Sequence, residues 1–278
     1  MIRILVDSSS DFPMEEVIEK NMIFVPISIT FGEKSYADGV DISRDAFYEL
    51  LMKSGEFPKT SQPSPQDFAD IFEGAKENGD EVICLLLSSG LSGTCQSAHL
   101  AKNMVEYEGI HIVDSLAATV LIKVMADYAY DLVQKGLGAA QIVEKLEMLK
   151  SKVKVAASLD TLEYLQRGGR IGKAAAALGE MASLKPIITI LEDGTIGMLG
   201  KCIGKNKAIQ FLRKHIAAAS IDPEFPVYTV FTYGTTNCEL LEDKLSQDGV
   251  SVSRRMQIGA TIGTHVGPGV CGVVYVEK

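Results

Sequence analysis

The feature that most constrains the fold is a series of short apolar runs in the first half of the chain. Three of them have the length of a strand, namely Ile2 to Val6, Val82 to Leu87 and Ile110 to Val113. A fourth run, Ile23 to Phe31, is predicted to be one further extended segment. Strands that are apolar on both faces, with helices between them, are typical of a parallel sheet covered on both sides. We therefore predict an α/β/α arrangement for the N-terminal half.

Signals for helix starts fall between these runs. Ser43 and Ser64 are predicted N-caps, and a proline follows Ser64 at the first helical position. A helix is also predicted from Thr94 to Val105, and two more are expected at 117–135 and 139–151. These helices would supply the outer layers of the α/β/α arrangement.

The second half of the chain has a different rhythm. Asp193-Gly194 separates two extended runs and is typical of a hairpin turn. Other strands are expected at 153–158, 226–232, 250–256 and 270–276. Consecutive strands joined by a hairpin favour a mixed or antiparallel sheet. We therefore predict an α+β arrangement for this half.

The length of the chain is consistent with this division. It has 278 residues, and globular domains commonly contain about 150 residues each. We expect two domains: an α/β/α unit with a parallel sheet at residues 1–152, and an α+β unit with a mixed sheet at residues 153–278. No Pro- or Gly-rich linker marks the boundary between them.

Charge and hydropathy exclude several classes of protein. The formal net charge of −9 argues against a nucleic-acid-binding protein, whose phosphate contacts require a basic surface. No apolar run approaches the roughly 18 residues that span a bilayer. The N-terminal stretch reaches acidic residues too early for a signal peptide. These observations predict a cytoplasmic protein that binds no nucleic acid.

The cysteines argue against both a disulfide framework and a zinc site. The chain has five, an odd number, and none forms a CxxC pair. Cys84 and Cys271 lie in apolar runs, where a small buried thiol in a reducing compartment is the expected interpretation. We expect neither a metal nor a cofactor.

Two hydroxyl-rich segments are the clearest indication of a ligand site. Residues 88–94, SSGLSGT, follow an apolar strand and precede a helix, and residues 60–64, TSQPS, precede another helix. Glycine lets the backbone approach a ligand closely, and hydroxyls beside free N–H groups at a helix start favour an anion. If both helices follow strands of one sheet, these segments meet at its carboxyl edge. Ordinary helix capping explains either segment alone, so the hypothesis of an anion site depends on the pair.

Enzyme motifs offer an alternative function. The chain has no GxxxxGK[ST] sequence for nucleotide phosphates. Residues 90–94 are similar to the GxSxG motif of hydrolases but have Thr94 in place of the last glycine. The order Ser92, Asp114, His265 mimics a hydrolase triad, although chain order alone is weak support. The alternative to a binding protein is thus an acyl hydrolase or phosphotransferase that acts on its own through Ser92 and His265.

Two residues in glycine-rich segments are further candidates. His265 is predicted to lie in a loop made rigid by the sequence GTHVGPG, and histidines in such loops often serve a function. Arg170 follows two glycines, and its guanidinium suits a carboxylate or a phosphate. A hydrogen-bonded structural histidine and a plain surface arginine are the competing interpretations.

Seven motifs, in order along almost the entire chain, resemble those of the DegV family. They are DSSSDFP at 7–13, YADGVDI at 36–42, KTSQPSPQDF at 59–68, SSGLSGTCQSA at 88–98, VDS at 113–115, LEYLQRGGRI at 162–171 and GTHVGPG at 263–269. None of them would be sufficient singly, and together they are highly specific.

The resemblance implies a two-domain DegV-like fold with a long-chain fatty acid held between the domains. It further implies a carrier rather than an enzyme. Such a carrier presents the fatty acid carboxylate to a separate fatty acid kinase subunit, which converts it to an acyl phosphate for phospholipid synthesis. The implied partners are the fatty acid and the kinase subunit, with room for a transient contact with a membrane surface.

The resemblance also implies roles for particular residues. Thr60 and Ser92, with the neighbouring Ser61, are the implied carboxylate contacts, and His265 is expected near the head group. Arg170 is implied in phosphate handling or in contact with the partner. One departure stands out, because Ile203 occupies a position after the 193–194 hairpin where the family commonly has arginine.

Two apolar segments are candidates for the wall of an acyl tunnel, namely 174–184 and 117–126. Packing of buried helices is the simpler explanation for both. The preference for chain length and unsaturation depends on packing that a sequence does not give.

Overall fold

The computed structural model describes residues 1–177 and 184–278. The strands of these two ranges, in chain order, are β1 (Ile2–Asp7), β2 (Ile23–Val25), β3 (Ser28–Phe31), β4 (Lys34–Ala37), β5 (Lys59–Ser61), β6 (Glu81–Leu86), β7 (Ile110–Asp114), β8 (Val153–Ser158), β9 (Leu184–Ile190), β10 (Ile196–Ile203), β11 (Tyr228–Phe231), β12 (Arg254–Gln257) and β13 (Cys271–Val276).

The α-helices of the same ranges lie between these strands or groups of strands. They are α1 (Met14–Glu19), α2 (Arg44–Ser54), α3 (Pro65–Asn78), α4 (Thr94–Val105), α5 (Val120–Gln134), α6 (Ala139–Lys150), α7 (Glu163–Arg167), α8 (Lys205–Ala218), α9 (Thr236–Gln247) and α10 (Ala260–Val266).

The N-terminal half contains the predicted parallel sheet, with strand order β2-β1-β6-β7 and every pair parallel. Side chains alternate between its two faces. Leu5 and Cys84 pack with α3 and α4 on one face, while Ile4 and Leu85 pack with α5 and α6 on the other. The α/β/α prediction for this half is confirmed. Ser43 and Ser64 cap α2 and α3 as predicted.

The C-terminal half contains a mixed sheet, with strand order β10-β9-β8-β13-β11-β12. Only β11 and β12 are parallel among its described pairs. Helices α8 and α9 cover one face. Helix α5 packs against the other face as well as against the parallel sheet, so one apolar cluster reaches from sheet to sheet. The α+β prediction is confirmed, whereas the domain boundary at residue 152 stays a prediction.

A small antiparallel sheet, with strand order β4-β3-β5, was not predicted. The prediction of one extended segment from Ile23 to Phe31 is wrong. That run is two strands in two different sheets, because Pro26 has no N–H to continue a ladder and Ile27 donates its N–H to Ser8 Oγ instead, at 3.0 Å.

Other element boundaries also moved. The helix predicted at 117–135 begins at Val120, since Thr119 has φ 56° and ψ −148°, which is not helical. The strand predicted at 250–256 begins at Arg254. The 193–194 hairpin is confirmed, and its strands β9 and β10 are longer than expected. Most of the tunnel candidate at 174–184 lies outside the described residues.

The five cysteine thiols are all free, and Cys84 and Cys271 are buried as predicted. Within the two described ranges, no helix combines the length and the hydropathy needed to cross a bilayer.

Candidate functional site

A cavity of about 350 Å³ lies where the segments after β5 and β6 meet α10 and the residues that follow α7. The four residues predicted for the carboxylate site line it, together with Arg170, predicted for phosphate handling or partner contact, and one glutamine: Thr60, Ser61, Gln62, Ser92, Arg170 and His265. The rest of its wall is mainly aliphatic: Ile27, Leu87, Leu91, Ala118, Ile196 and Ile262. Its volume falls in the range of small-molecule sites, about 300–1,000 Å³. An apolar wall with a few polar groups suits an amphipathic ligand.

Ser92 reaches the cavity from the turn between β6 and α4. The N–H groups of Leu91 and Ser92 both donate to Ser88 O, at 3.0 Å each, which closes the turn. Ser92 Oγ lies 2.9 Å from Thr94 Oγ1 and accepts from the Thr94 N–H at 3.3 Å. Every contact in this set falls within seven residues of sequence, so the turn holds the hydroxyl in place by local interactions.

Thr60 reaches the cavity by another route. It lies in β5, opposite Ile29 in the small antiparallel sheet, so the expectation that both hydroxyl segments end strands of one sheet is wrong. The two segments still meet, because Gln62 donates to Ser97 Oγ of α4 at 3.0 Å. Gly93 makes this approach feasible, since a Cβ there would lie 2.1 Å from Gln62 Oε1.

His265 lies in the last turn of α10, and the prediction of a loop position is wrong. Gly263 of GTHVGPG lies within the helix, the other two glycines and the proline follow His265, and Gly267, with φ 70°, ends the helix. His265 Nε2 lies 2.9 Å from Thr60 Oγ1. Gly168 packs against the other side of the ring, where a Cβ would lie 2.2 Å from Nδ1.

The imidazole of His265 is neutral at pH 7. Burial lowers the pKa of His265 to about 4, and the positive charge of Arg170 also lowers it. Among the described residues, the buried Nδ1 atom has no hydrogen-bond partner. An orphaned lone pair is tolerated better than an orphaned N–H, which favours the tautomer with its proton on Nε2. The Nε2–H group then donates to Thr60, and the threonine hydroxyl proton remains available to a ligand.

Arg170 is half-buried rather than a plain surface residue. Its Nε–H donates to Leu91 O at 3.1 Å and its Nη1 to Gly168 O at 2.6 Å. No acidic side chain of residues 1–177 and 184–278 pairs with it. No carboxylate of the described residues therefore neutralises its positive charge at the cavity, which suits an anionic ligand.

The hydrogen bonds do not assemble the hydrolase triad. His265 Nε2 faces Thr60 rather than Ser92. Asp114 accepts instead from the N–H groups of Ser89 and Leu116, at 3.1 Å each. In the described part of the chain, no acid orients the histidine, as a triad requires. The arrangement therefore fits ligand binding better than acyl-enzyme chemistry.

Sequence reasoning missed the polar groups behind the cavity wall. Thr261 lines the cavity one helical turn before His265, and its partner Asp38 is buried. Asp11 is buried beside them. Both aspartates stand in motifs quoted above, so the motifs were a signal. Their contact with α10 spans more than 200 residues, however, and no local pattern encodes it.

Comparisons with known proteins agree along the whole chain. The DegV family model matches residues 1–278. A DegV domain-containing protein of Caldanaerobacter subterraneus subsp. tengcongensis is 34% identical over 280 residues, which cover 100% of this chain and 99% of the relative.

Solved structures are similar over the same length. A DegV family protein from Thermus thermophilus, described by its fatty acid binding, has a TM-score of 0.90 and 31% identity and covers 100% of this chain and 99% of its own. A stearic acid-binding protein from Eubacterium ventriosum has a TM-score of 0.89 and 30% identity, with the same coverage. With sequence and structure matched from end to end, this chain belongs to the DegV family.

Proposed function

We propose that this protein binds a long-chain fatty acid in the cavity and presents its carboxylate to a separate fatty acid kinase subunit. One observation carries the proposal. A neutral histidine paired with Thr60, the Ser92 hydroxyl and the guanidinium of Arg170, which pairs with no acidic side chain of the described residues, line a cavity whose remaining wall is mainly aliphatic. Solved structures that are 30–31% identical along the whole chain are described as fatty acid-binding proteins, which supports the same class of ligand here.

The head group would bind by donated hydrogen bonds. With the His265 Nε2–H donating to Thr60, the threonine hydroxyl is free to donate to a carboxylate oxygen. Ser92 offers a second hydroxyl and Arg170 a positive charge. Hydrogen bonds to a charged group contribute about 1.5–3 kcal/mol each, so the head-group site mainly orients the ligand.

The acyl chain would supply most of the affinity. Burying about 14 methylenes at roughly 0.8 kcal/mol each gives a gross gain near 11 kcal/mol. Association and ordering consume several kcal/mol of this gain. Tight but reversible binding follows, as a carrier requires.

The kinase step is the finer part of the proposal. The sequence has no P-loop, so ATP would bind to the partner subunit. Phosphorylation converts the carboxylate to a more highly charged acyl phosphate, and Arg170, which pairs with no carboxylate of residues 1–177 and 184–278, suits that added charge. Ile203 is 59% exposed at the end of β10, so any partner contact that relatives make through an arginine there must be made differently. We place the carrier in the cytoplasm, upstream of phospholipid synthesis, with a transient contact at the membrane surface.

Calorimetry on delipidated protein tests the binding step. We expect about one equivalent of a C14–C18 fatty acid to bind, a range that follows roughly from the methylene arithmetic. Ser89→Ala is a matched control for Ser92→Ala, because Ser89 is an exposed serine of the same turn that does not line the cavity. Absence of binding by the wild-type protein would sink the proposal.

Incubation with ATP and fatty acid separates a carrier from a self-sufficient enzyme. We expect acyl phosphate only after a kinase subunit is added, and no release of p-nitrophenol from ester substrates. Turnover by the isolated chain, abolished in Ser92→Ala, would establish the enzymatic alternative instead.

A further inference from the structure

The N-terminal end of α10 is held by two buried carboxyl groups from the other half of the chain. The Gly259 N–H donates to Asp11 Oδ1 at 2.7 Å. Thr261 donates twice to Asp38 Oδ2, from its N–H at 2.9 Å and from its hydroxyl at 2.6 Å. Asp11 and Asp38 are 1% and 3% exposed. The ligands of these carboxyl groups are the protein's own N–H and hydroxyl groups, so this is an anchor for the helix.

The anchor and the head-group site lie on the same face of α10. Thr261 and His265 are four residues apart, a spacing that places side chains one above the other on a helix. Both side chains line the cavity. A displacement of Thr261 therefore also displaces His265 relative to Thr60. The hydrogen bond between His265 and Thr60 tolerates a change in length of only a few tenths of an ångström.

Each carboxyl group is itself fixed within the N-terminal half. Asp11 also accepts a hydrogen bond from Thr119 Oγ1. Thr119 has φ 56° and ψ −148°, a conformation that is strained for a β-branched residue and persists only where its surroundings impose it. Asp38 is held through its own N–H, which donates to Ile27 O at 3.1 Å.

Keeping these carboxyl groups buried is costly. Burial raises the pKa of Asp11 to about 7, even beside Arg44, and it also raises the pKa of Asp38. The Arg44 guanidinium donates to backbone carbonyls rather than to either carboxyl group. Its Nη2 donates to Asp11 O and Phe12 O, and its Nη1 donates to Gln257 O. An apolar contact would join the two halves without the cost of desolvating a carboxyl group. It would not, however, prevent α10 from sliding along its own axis.

We propose that Asp11 and Asp38 are positioning residues, which hold α10 so that His265 meets Thr60 at the head-group site. Asp38 acts most directly, because it bonds to Thr261, one helical turn before His265 on the same face of α10. This inference deepens the proposed function and rests on it for its consequence in ligand binding. The placement of His265 itself can be measured without a fatty acid.

The test follows the titration of His265 by NMR in fatty-acid-free protein carrying labelled histidine. In the wild type we expect a pKa of about 4. In Asp38→Asn and in Thr261→Val, the ring should gain access to water, and its pKa should rise toward 6.5, the ordinary value for histidine. Removing a negative charge near a histidine lowers its pKa, so a rise cannot come from lost charge.

Two controls make the result specific. Asp41→Asn makes the same substitution in the same turn. Within the described residues, the Asp41 carboxylate accepts one hydrogen bond, from the Ala37 N–H, so this variant should leave the His265 titration unchanged. Thr261→Ser keeps the hydroxyl that donates to Asp38, so the pKa of His265 in this variant should remain at the wild-type value. If Asp38→Asn unfolds the protein, Thr261→Val still tests the proposal, because it removes the hydroxyl but keeps the hydrogen bond from the Thr261 N–H to Asp38.

Two results would overturn the proposal. One is a lower melting temperature of Asp38→Asn and Thr261→Val with an unchanged His265 titration, which would indicate a merely structural anchor. The other is a shift of the His265 pKa in Asp41→Asn that equals the shift in Asp38→Asn. Fatty acid affinity should fall about tenfold in Thr261→Val. If the wild type bound no fatty acid, the proposed function would fail while the titration still tested the anchor.

Discussion

The two hydroxyls of the cavity are held in contrasting ways. Ser92 is fixed by a turn and a helix start within seven residues of sequence. Thr60 is fixed by the small sheet, and its partner His265 lies 205 residues away. The hydrogen bonds of the Ser92 hydroxyl are local, whereas the contact of Thr60 with His265 joins residues from the two halves of the chain. We therefore expect Ser92→Ala to leave the Thr60–His265 pair in place, and we expect that pair to respond to any displacement of one half relative to the other.

The largest expected effect separates binding from turnover at His265. His265→Ala should keep fatty acid affinity within about tenfold, or 1.4 kcal/mol, because the acyl chain dominates binding. Acyl phosphate formation with kinase subunit and ATP should fall by about 10²–10⁴-fold, the range for a positioned group that acts in the transition state. His99→Ala, at an exposed histidine on α4, is the control. Undiminished turnover in His265→Ala would remove this residue from the functional site.

The next effect is the pH dependence of the free energy of unfolding that the buried His265 causes. Unfolded His265 takes up a proton below about pH 6.5, whereas the folded residue, with a pKa of about 4, stays neutral. Its contribution to the free energy of unfolding is therefore lost as pH falls through this window, by on the order of 3 kcal/mol at pH 4.

Asp7 and Asp11 act in the opposite direction, because burial raises their pKa values to about 6 and about 7. Their contributions fall as pH rises through these values. Comparing the wild type with His265→Gln by urea unfolding at pH 7 and pH 4.5 cancels the aspartate contributions. Equal stability differences at both pH values would mean that His265 is not buried and neutral.

A third experiment compares the two hydroxyls directly. Ser92→Ala and Thr60→Ala each remove a donor to a charged carboxylate, so affinity should fall about 10- to 100-fold in each. Both substitutions should also lower the melting temperature of the ligand-free protein, because Ser92 Oγ bonds to Thr94 and Thr60 pairs with His265. Only Thr60→Ala should change the NMR titration of His265. Calorimetry and that titration, run on both variants, check this. A His265 titration that changes equally in both variants would break the distinction between local and long-range placement.

The smallest expected effect tests the packing around His265. Gly168 has φ −75°, so alanine suits its backbone, but the added Cβ would press on His265 Nδ1. Gly168→Ala should destabilise the fold by about 1–3 kcal/mol. Gly74→Ala in α3 meets no neighbouring atom and should stabilise the fold by about 1 kcal/mol. A neutral Gly168→Ala would show that the ring has room to move.

The same contrast between local and long-range contacts separates the features that the sequence predicted from those that it did not. Apolar runs such as Val82 to Leu87 and caps such as Ser64 are local signals, and they gave the parallel sheet and its helices correctly. The small sheet that carries Thr60 was missed, because β5 has only three residues and depends on pairing with β3. The position of His265 was misjudged because α10 has seven residues and is anchored by Asp11 and Asp38 from the far end of the chain.

Carbon-13 NMR of [1-¹³C]palmitate bound to delipidated protein tests the central claim most directly. The account predicts one bound carboxyl resonance that moves in Ser92→Ala and in Thr60→Ala, stays in place in Ser89→Ala, and is lost or released to the free position in the Thr60/Ser92 double variant. A bound resonance that is the same in the wild type and the double variant would place the carboxylate elsewhere and contradict the account.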